Sequence, residues 1–244
     1  MGLLLSFSIM LIAWFIYLKT RNPALIDIFW GLNIGCTGVL YLSSSPTDAL
    51  TWAAFILLIA WSARLSGFLW YTRCFKKHVD PRYQAMARGW RNQALGFLGQ
   101  YLLQGCLAWL IALPFFTLQY VQAIRPLTYL SIIAILIGLV GETIADLQLQ
   151  AHKQRGNKHV LQQGLWHYSR HPNYFFECVV WLGFSLMGAS VGPGMLAFVS
   201  FLTLFSIMWF VTIPLTEAQS LKRRKDYRNY IKSTSCLIPW QPKA

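Results

Sequence analysis

Charge is scarce in this chain. Only 12% of its 244 residues are Asp, Glu, Lys or Arg, and just 8 are acidic. A soluble domain of this size would not manage with so few, so the composition excludes one. The five cysteines (Cys36, Cys74, Cys106, Cys178 and Cys236) are odd in number and form no CxxC pair, which argues against a disulfide framework and a thiolate metal site. No HExxH spacing exists among His78, His152, His159, His167 and His171. His167 and His171 are four apart, but Pro172 breaks any helix they would share. P-loop, GxGxxG and GxSxG signatures are missing too, as are internal repeats and low-complexity stretches.

What the chain has in abundance is apolar length: 56% of residues are hydrophobic, and 11 are Trp. A bilayer is crossed by ~20 apolar residues at about 1.5 Å each. The runs predict an all-α, polytopic transmembrane helix bundle forming a single domain, because only helices and closed barrels satisfy their backbone in lipid. Seven spans are expected, at about 2–18, 24–42, 49–71, 94–118, 127–149, 173–190 and 194–215, with a tail at 216–244. The first is not a signal peptide, since its basic residues, Lys19 and Arg21, follow the apolar run.

Orientation follows from the basic residues. With the N-terminus outside, the inner segments 19–23, 72–93, 150–173 and 216–244 hold 2, 6, 4 and 7 of the 21 Lys and Arg. Arg125 falls in an outer loop and Arg64 within a span. The formal charge of +13 therefore marks a cytoplasmic face that meets membrane lipids, not a nucleic-acid footprint.

The stretch of most chemical interest is GLWHYSRHPNYFFECVVW at 164–181. Pro172 is suited to the first position of a helix, which puts Asn173 and Tyr174 in its first turn. Asn173, Glu177 and Trp181, four apart, share one face. The free N–H groups of that helix start, beside Arg170 and His171, suit a phosphate or carboxylate.

Ionisable residues inside spans are expensive, and a functional role is the default reading. Asp27, Arg64, Glu142, Asp146 and Glu177 qualify, and Asp27 with Arg64 could instead be a structural pair. Glu142, Asp146, Gln150 and Lys153 form one polar stripe on the fifth span, which with Asn173 and Glu177 would line a cavity opening inward. The tail KRRKDYRNYIKSTSCLIPW interleaves Lys/Arg with Tyr227 and Tyr230, and its Leu237–Trp240 end could fold back as a cap.

These motifs together resemble the bacterial steroid 5-alpha-reductase-like (DUF1295-like) membrane protein family, related to the isoprenylcysteine carboxyl methyltransferase superfamily. DIFWG near Asp27, WSARLSGFLWYTR around Arg64, DPRY at 80–83, GETIADLQ at 141–148, RHPNY and the tail carry the likeness over most of the chain. The resemblance implies an enzyme of the bacterial inner membrane with its site open to the cytoplasm. In one branch NADPH reduces a C=C bond conjugated to a ketone; in the other S-adenosylmethionine methylates a lipid or prenylated acceptor. Asp146 matches the acidic position by which the reductases hold their cofactor, and Asn173 and Glu177 match their Asn-x-x-x-Glu pair. On the reductase reading Asn173 and Glu177 hold the nicotinamide carboxamide or ribose, and Tyr174, Glu142 and Asp146 also bind the cofactor. Arg170, His171 and Lys153 then face phosphate, while Tyr230 and Lys232 close over the cofactor. Asp27, Arg64 and Tyr71 are the candidates to meet a lipid-like substrate. Two departures are plain: the reductases' Gln-Glu pair on the second helix is missing, and Gln150 and Lys153 stand at their basic positions. A non-enzymatic lipid-binding scaffold is the third reading, which the buried acids oppose.

Overall fold

The computed structural model describes residues 1–75, 83, 86–120, 126–157, 159–189 and 194–243; Asp80, Pro81 and Arg82 of the DPRY segment, and Arg125, lie outside them. Among the described residues every regular element is helical. Six helices among the described residues are long and apolar enough to cross a membrane, consistent with a multi-pass membrane protein. The helix at Pro172–Ala189 forms as expected, and its first turns carry Asn173, Tyr174 and Glu177. Those polar residues make it less apolar than the six.

The chain divides into two compact units: Met1–Ile124 with Gly188–Ser200, and Arg125–Met187 with Phe201–Ala244. The first contains α1 (Gly2–Thr20), α2 (Leu25–Leu42), α3 (Ala49–Leu69), α4 (Gln93–Ile111) and the short α5 (Leu113–Thr117). Asp48 caps α3 by accepting from the Thr51 N–H at 2.8 Å, and Asn92 caps α4 by accepting from Ala94 and Leu95. Pro114 stands at the start of α5, where it ends the α4 ladder. α3 runs on as a π-helical segment, Trp70–Phe75, which carries Tyr71 and Arg73.

Small residues let α2 and α3 approach. A Cβ on Gly31 would lie 2.7 Å from Ser66 Oγ, and one on Gly35 2.4 Å from Ser62 Oγ. Those same serines donate across the seam, Ser62 to the Gly31 carbonyl and Ser66 to the Ile28 carbonyl. A second neutral chain joins α1, α2 and α4. Asn33 donates to Ser6, Ser6 donates to the Gly105 carbonyl at 2.7 Å, and Thr37 donates to Asn33.

The second unit is built on α6 (Pro126–Gln154) and α8 (Pro172–Ala189), joined through the short α7 (Leu165–Tyr168). The 29 residues of α6 span roughly 44 Å at 1.5 Å each, more than a hydrocarbon core of about 30 Å, so its end stands clear of one. Glycines set how the two helices meet. A Cβ on Gly138 would lie 2.9 Å from the Phe176 carbonyl oxygen, one on Gly141 2.4 Å from the Phe176 ring, and one on Gly183 2.6 Å from Ile135. Position numbers rise along α6 as they fall along α8, so the helices run antiparallel. α9 (Ala197–Ile207), a π-helical segment (Met208–Thr212), α10 (Ile213–Arg223) and α11 (Tyr227–Ser233) complete the chain before its extended end.

Candidate functional site

The α6–α8 register decides which polar residues face each other. Gly138 meets Val180 and Gly141 meets Phe176, so the next step along places Glu142 level with Glu177 and Asp146 level with Asn173. The last pairing is direct: Asn173 Nδ2 donates to Asp146 Oδ1 at 3.2 Å. A carboxylate only accepts, which fixes the amide orientation and turns Asn173 Oδ1 the other way. That oxygen is buried without a hydrogen-bond partner among the described residues. Glu142, Asp146 and Glu177 are all buried, and Glu177 Oε1 accepts from the Trp181 indole at 2.9 Å. The predicted stripe and the predicted helix face thus meet, and their shared chemistry is acceptor-rich.

The other half of the RHPNY motif turns toward the tail. Arg170 Nε donates to Glu217 Oε1 at 2.7 Å, and its Nη1 donates to the carbonyls of Ile231 and Thr234. The Arg170 N–H reaches the Ser235 carbonyl at 2.9 Å. His171 Nε2 lies 3.2 Å from the same Glu217 oxygen, and its ring stacks on Tyr174. Ser169 Oγ accepts from the His171 N–H and donates to the Leu237 carbonyl at 2.8 Å. The carboxylate that meets Arg170 and His171 is therefore the chain's own Glu217.

Tyr230 lies beneath this loop, 2% exposed, its hydroxyl donating to the carbonyls of Trp166 and Ser169. Burial pushes the Tyr230 and Tyr227 hydroxyls up, and Tyr230 is the donor to the two carbonyls. Trp166 in turn donates to the Ala145 carbonyl on α6 at 3.0 Å. Gly164 precedes it at φ 62°, a left-handed conformation in which a Cβ would also strike Gln148. Asp226 ties down the remaining loop: it accepts from the Val160 N–H at 2.8 Å and lies 3.4 Å from His159. Burial works against its charge, but these donors win and hold its carboxyl below the ordinary value.

The tail folds back as expected, with Leu237 buried and the Trp240 N–H donating to the Tyr168 carbonyl. Lys153 and Lys232 are both exposed. Gln148, His152, Arg155, Asn157 and residues 159–164 line a polar hollow of about 610 Å³. His171, Glu217 and Cys236 bring one nitrogen, one oxygen and one sulfur within 4.8 Å of one another. The Arg170 guanidinium already supplies positive charge to Glu217 there, and burial pushes the Cys236 thiol up, so we assign no metal to the cluster.

In the first unit Asp27 accepts from the Tyr83 hydroxyl at 2.6 Å and pairs with Arg73. Neither partner was expected from the sequence. Arg64 lies over the Phe68 ring at 5.9 Å, and Tyr71 is exposed.

Residues 13–234 match a family described as a protein of unknown function, DUF1295. The chain belongs to that family. The DUF1295 match covers both units, with the acidic α6–α8 face and the Arg170–Glu217 centre inside it. A fission-yeast protein, the uncharacterized protein C594.04c of Schizosaccharomyces pombe, is 24% identical over 271 residues, covering 98% of this chain and 78% of its own length. No solved structure matches.

Three residues that engage the candidate side chains escaped the sequence reading: Glu217, Tyr83 and Arg73. Glu217 lies 47 positions from Arg170, and its only signal is being an acid within a basic segment. Tyr83 was visible only as part of the DPRY motif.

Proposed function

We propose that this DUF1295 protein is an integral membrane oxidoreductase that uses NADPH to reduce a C=C bond of a lipid-like, enone-type substrate. In this reading seven helices span the bacterial inner membrane, with the N-terminus outside and the site open to the cytoplasm. The observation that carries it is the buried acceptor face, where Asn173 Oδ1 stands without a donor among the described residues, on the face shared with Asp146, Glu142 and Glu177. Such a face fits a group that brings N–H and O–H donors, as a nicotinamide carboxamide and its ribose do. The reduced nicotinamide, when bound, supplies the hydride.

The chain's own residues bind and orient. Asn173 and Glu177 hold the donors, and the Trp181 indole and Asp146 fix the directions of those two side chains. Arg170 and Tyr230 act as positioning residues, since their polar atoms hold the tail and the helix start together. Lys153 and Lys232, both exposed, would meet phosphate, with His171 and Tyr174 stacked at the helix start. Asp27, Arg64 and Tyr71 remain the candidates for the substrate end. There a donor must meet the ketone oxygen as negative charge develops, and a proton must follow the hydride to balance the reduction.

The acidity of the same face favours a second reading. Three carboxylates around one amide also suit the ammonium and sulfonium of S-adenosylmethionine, which makes methyl transfer the alternative.

Titrating the purified protein with NADPH and with S-adenosylmethionine, by heat and by thermal shift, separates the two, because a ligand selective for the folded state raises its melting point. Glu177→Gln retains an acceptor for Trp181 while removing the charge. It should weaken NADPH by about 1.5–3 kcal/mol, the range for a hydrogen bond to a charged group. S-adenosylmethionine binding with the same sensitivity moves the assignment to the methyltransferase. A folded protein that binds neither ends both.

A further inference from the structure

The folded-back tail does not bury all its apolar residues. Leu237 is 4% exposed, but Ile238 and Trp240 stand 63% and 72% exposed on either side of Pro239. Their backbone is pinned: Trp240 N–H donates to the Tyr168 carbonyl, and Lys243 N–H donates to the Ser233 carbonyl at 2.8 Å. Tyr168 is itself 40% exposed, so the anchor point adds a second aromatic to the surface. An ordered backbone presenting bare Ile and Trp side chains is a surface built to meet something.

Position and charge say what. The patch sits on the loop where α8 begins, and α6, antiparallel to α8, ends on that same side. This is the level at which apolar helices leave a bilayer, and where Trp and Tyr collect because an apolar ring with one polar atom suits the headgroup zone. Lys243 and Lys232 flank the patch through the Ser233 contact, and Lys222, Arg223, Lys225 and Arg228 are exposed on the segment before it. Past residue 215 the chain has only two acids, Glu217 and Asp226, and each is engaged by donors of the chain itself. The surface left over is apolar and positive.

We propose that Tyr168, Ile238 and Trp240, flanked by Lys232 and Lys243, form an interfacial anchor that seats the tail on anionic phospholipid. The rings enter the headgroup–acyl boundary and the lysines meet the phosphates. Tyr168, Ile238, Trp240 and Lys243 lie outside the residues assigned to the cofactor, and only Lys232 is shared with that reading.

The test uses the full chain in lipid nanodiscs, with Trp240→Phe as reference. Subtracting the variant's emission isolates Trp240 from the other tryptophans, and the exposed side chain makes the change mild. Phosphatidylglycerol brominated high on its acyl chains should remove most of the difference emission, while aqueous acrylamide should leave it nearly untouched. The double change K232A/K243A should raise the brominated phosphatidylglycerol needed for half quenching about fivefold or more, because each lysine near an anionic surface contributes on that scale. Equal quenching by phosphatidylcholine in both proteins would remove the anionic part of the proposal. Quenching by acrylamide alone would overturn it in favour of a tail that faces solution. Protection from both quenchers that disappears on dilution would overturn it in favour of contact with a second copy.

Discussion

The two units handle buried polarity differently. In the first, the fully covered polar groups that join helices are small and neutral: Ser6, Asn33, Thr37, Ser62 and Ser66 are all buried, and each is bonded to a carbonyl or to another of the set, while the Asp27–Arg73 ion pair is only partly covered. In the second, the joints are ionic, with Arg170 shared by Glu217 and two tail carbonyls, and Asp226 holding the Val160 loop. A neutral hydroxyl enters an apolar interior at modest cost and adds adhesion. A buried ion is tolerated only with full pairing, and removing one partner is heavily penalised. Apart from the Asp27–Arg73 pair, the first unit is therefore held by dispersed neutral contacts, whereas the second concentrates its stability, and its vulnerability, at one end.

That contrast makes Arg170→Ala the largest expected effect. It would leave Glu217 without its guanidinium and two buried carbonyls without donors, a loss of about 3–5 kcal/mol by analogy with other broken buried pairs. Limited proteolysis in detergent should show residues 224–243 released before the helices unfold. Arg170→Lys retains the charge but does not reproduce three directed hydrogen bonds, so it should fall in between. A tail that stays bound in Arg170→Ala would mean that Ser169, Tyr230 and Leu237 hold it without the ion.

The matching change in the first unit is Asn33→Ala. It removes the bonds to Ser6 and Thr37, at 2.8 and 3.2 Å, from fully buried positions. Interhelical hydrogen bonds inside membranes average about 0.6 kcal/mol and reach about 1.7. The expected loss is thus several times smaller than at Arg170, read as the shift in midpoint of reversible unfolding in mixed micelles. Equal losses at the two sites would erase the distinction between the units.

How far the sequence foretold this depends on the range over which each signal acts. Periodicity is local, so the helix start at Pro172 and the inward stripe of Glu142 and Asp146 were legible, and both acids are buried. Helix ends were less so. α6 runs to Gln154 rather than about 149, and the last long helix runs to Arg223 rather than about 215, because their polar ends continue the backbone ladder beyond the apolar run. The pairing of Asp146 with Asn173 required two local stripes to meet, and glycines at 138, 141 and 183 set the register. Glu217 was out of reach. It sits among polar residues where a single acid carries no periodic signal, and only the return of the tail brings Ile231, Thr234 and Glu217 to one guanidinium.

The weakest ionic tie gives the mildest prediction. Asp226 is only partly covered, and its partner His159 is 88% exposed, so solvent screens that contact and the Val160 N–H carries most of the bond. Its carboxyl is held below the ordinary value of 3.8, so folding favours the ionised form. The sign then follows: the contribution is fully present above the unfolded-state value and disappears as pH falls through the lower folded-state value. Glu217 also meets acid in that range, so the wild type alone would not separate the two carboxylates. Asp226→Asn does, because its amide oxygen still accepts from Val160 while carrying no charge to titrate. The pH at which protease first cuts the 159–164 segment should therefore show a small acid-limb component in the wild type that Asp226→Asn lacks. If the two proteins open along the same curve, the charge of Asp226 contributes nothing to holding the loop, and the ionic character of the second unit rests on Arg170 and Glu217 alone.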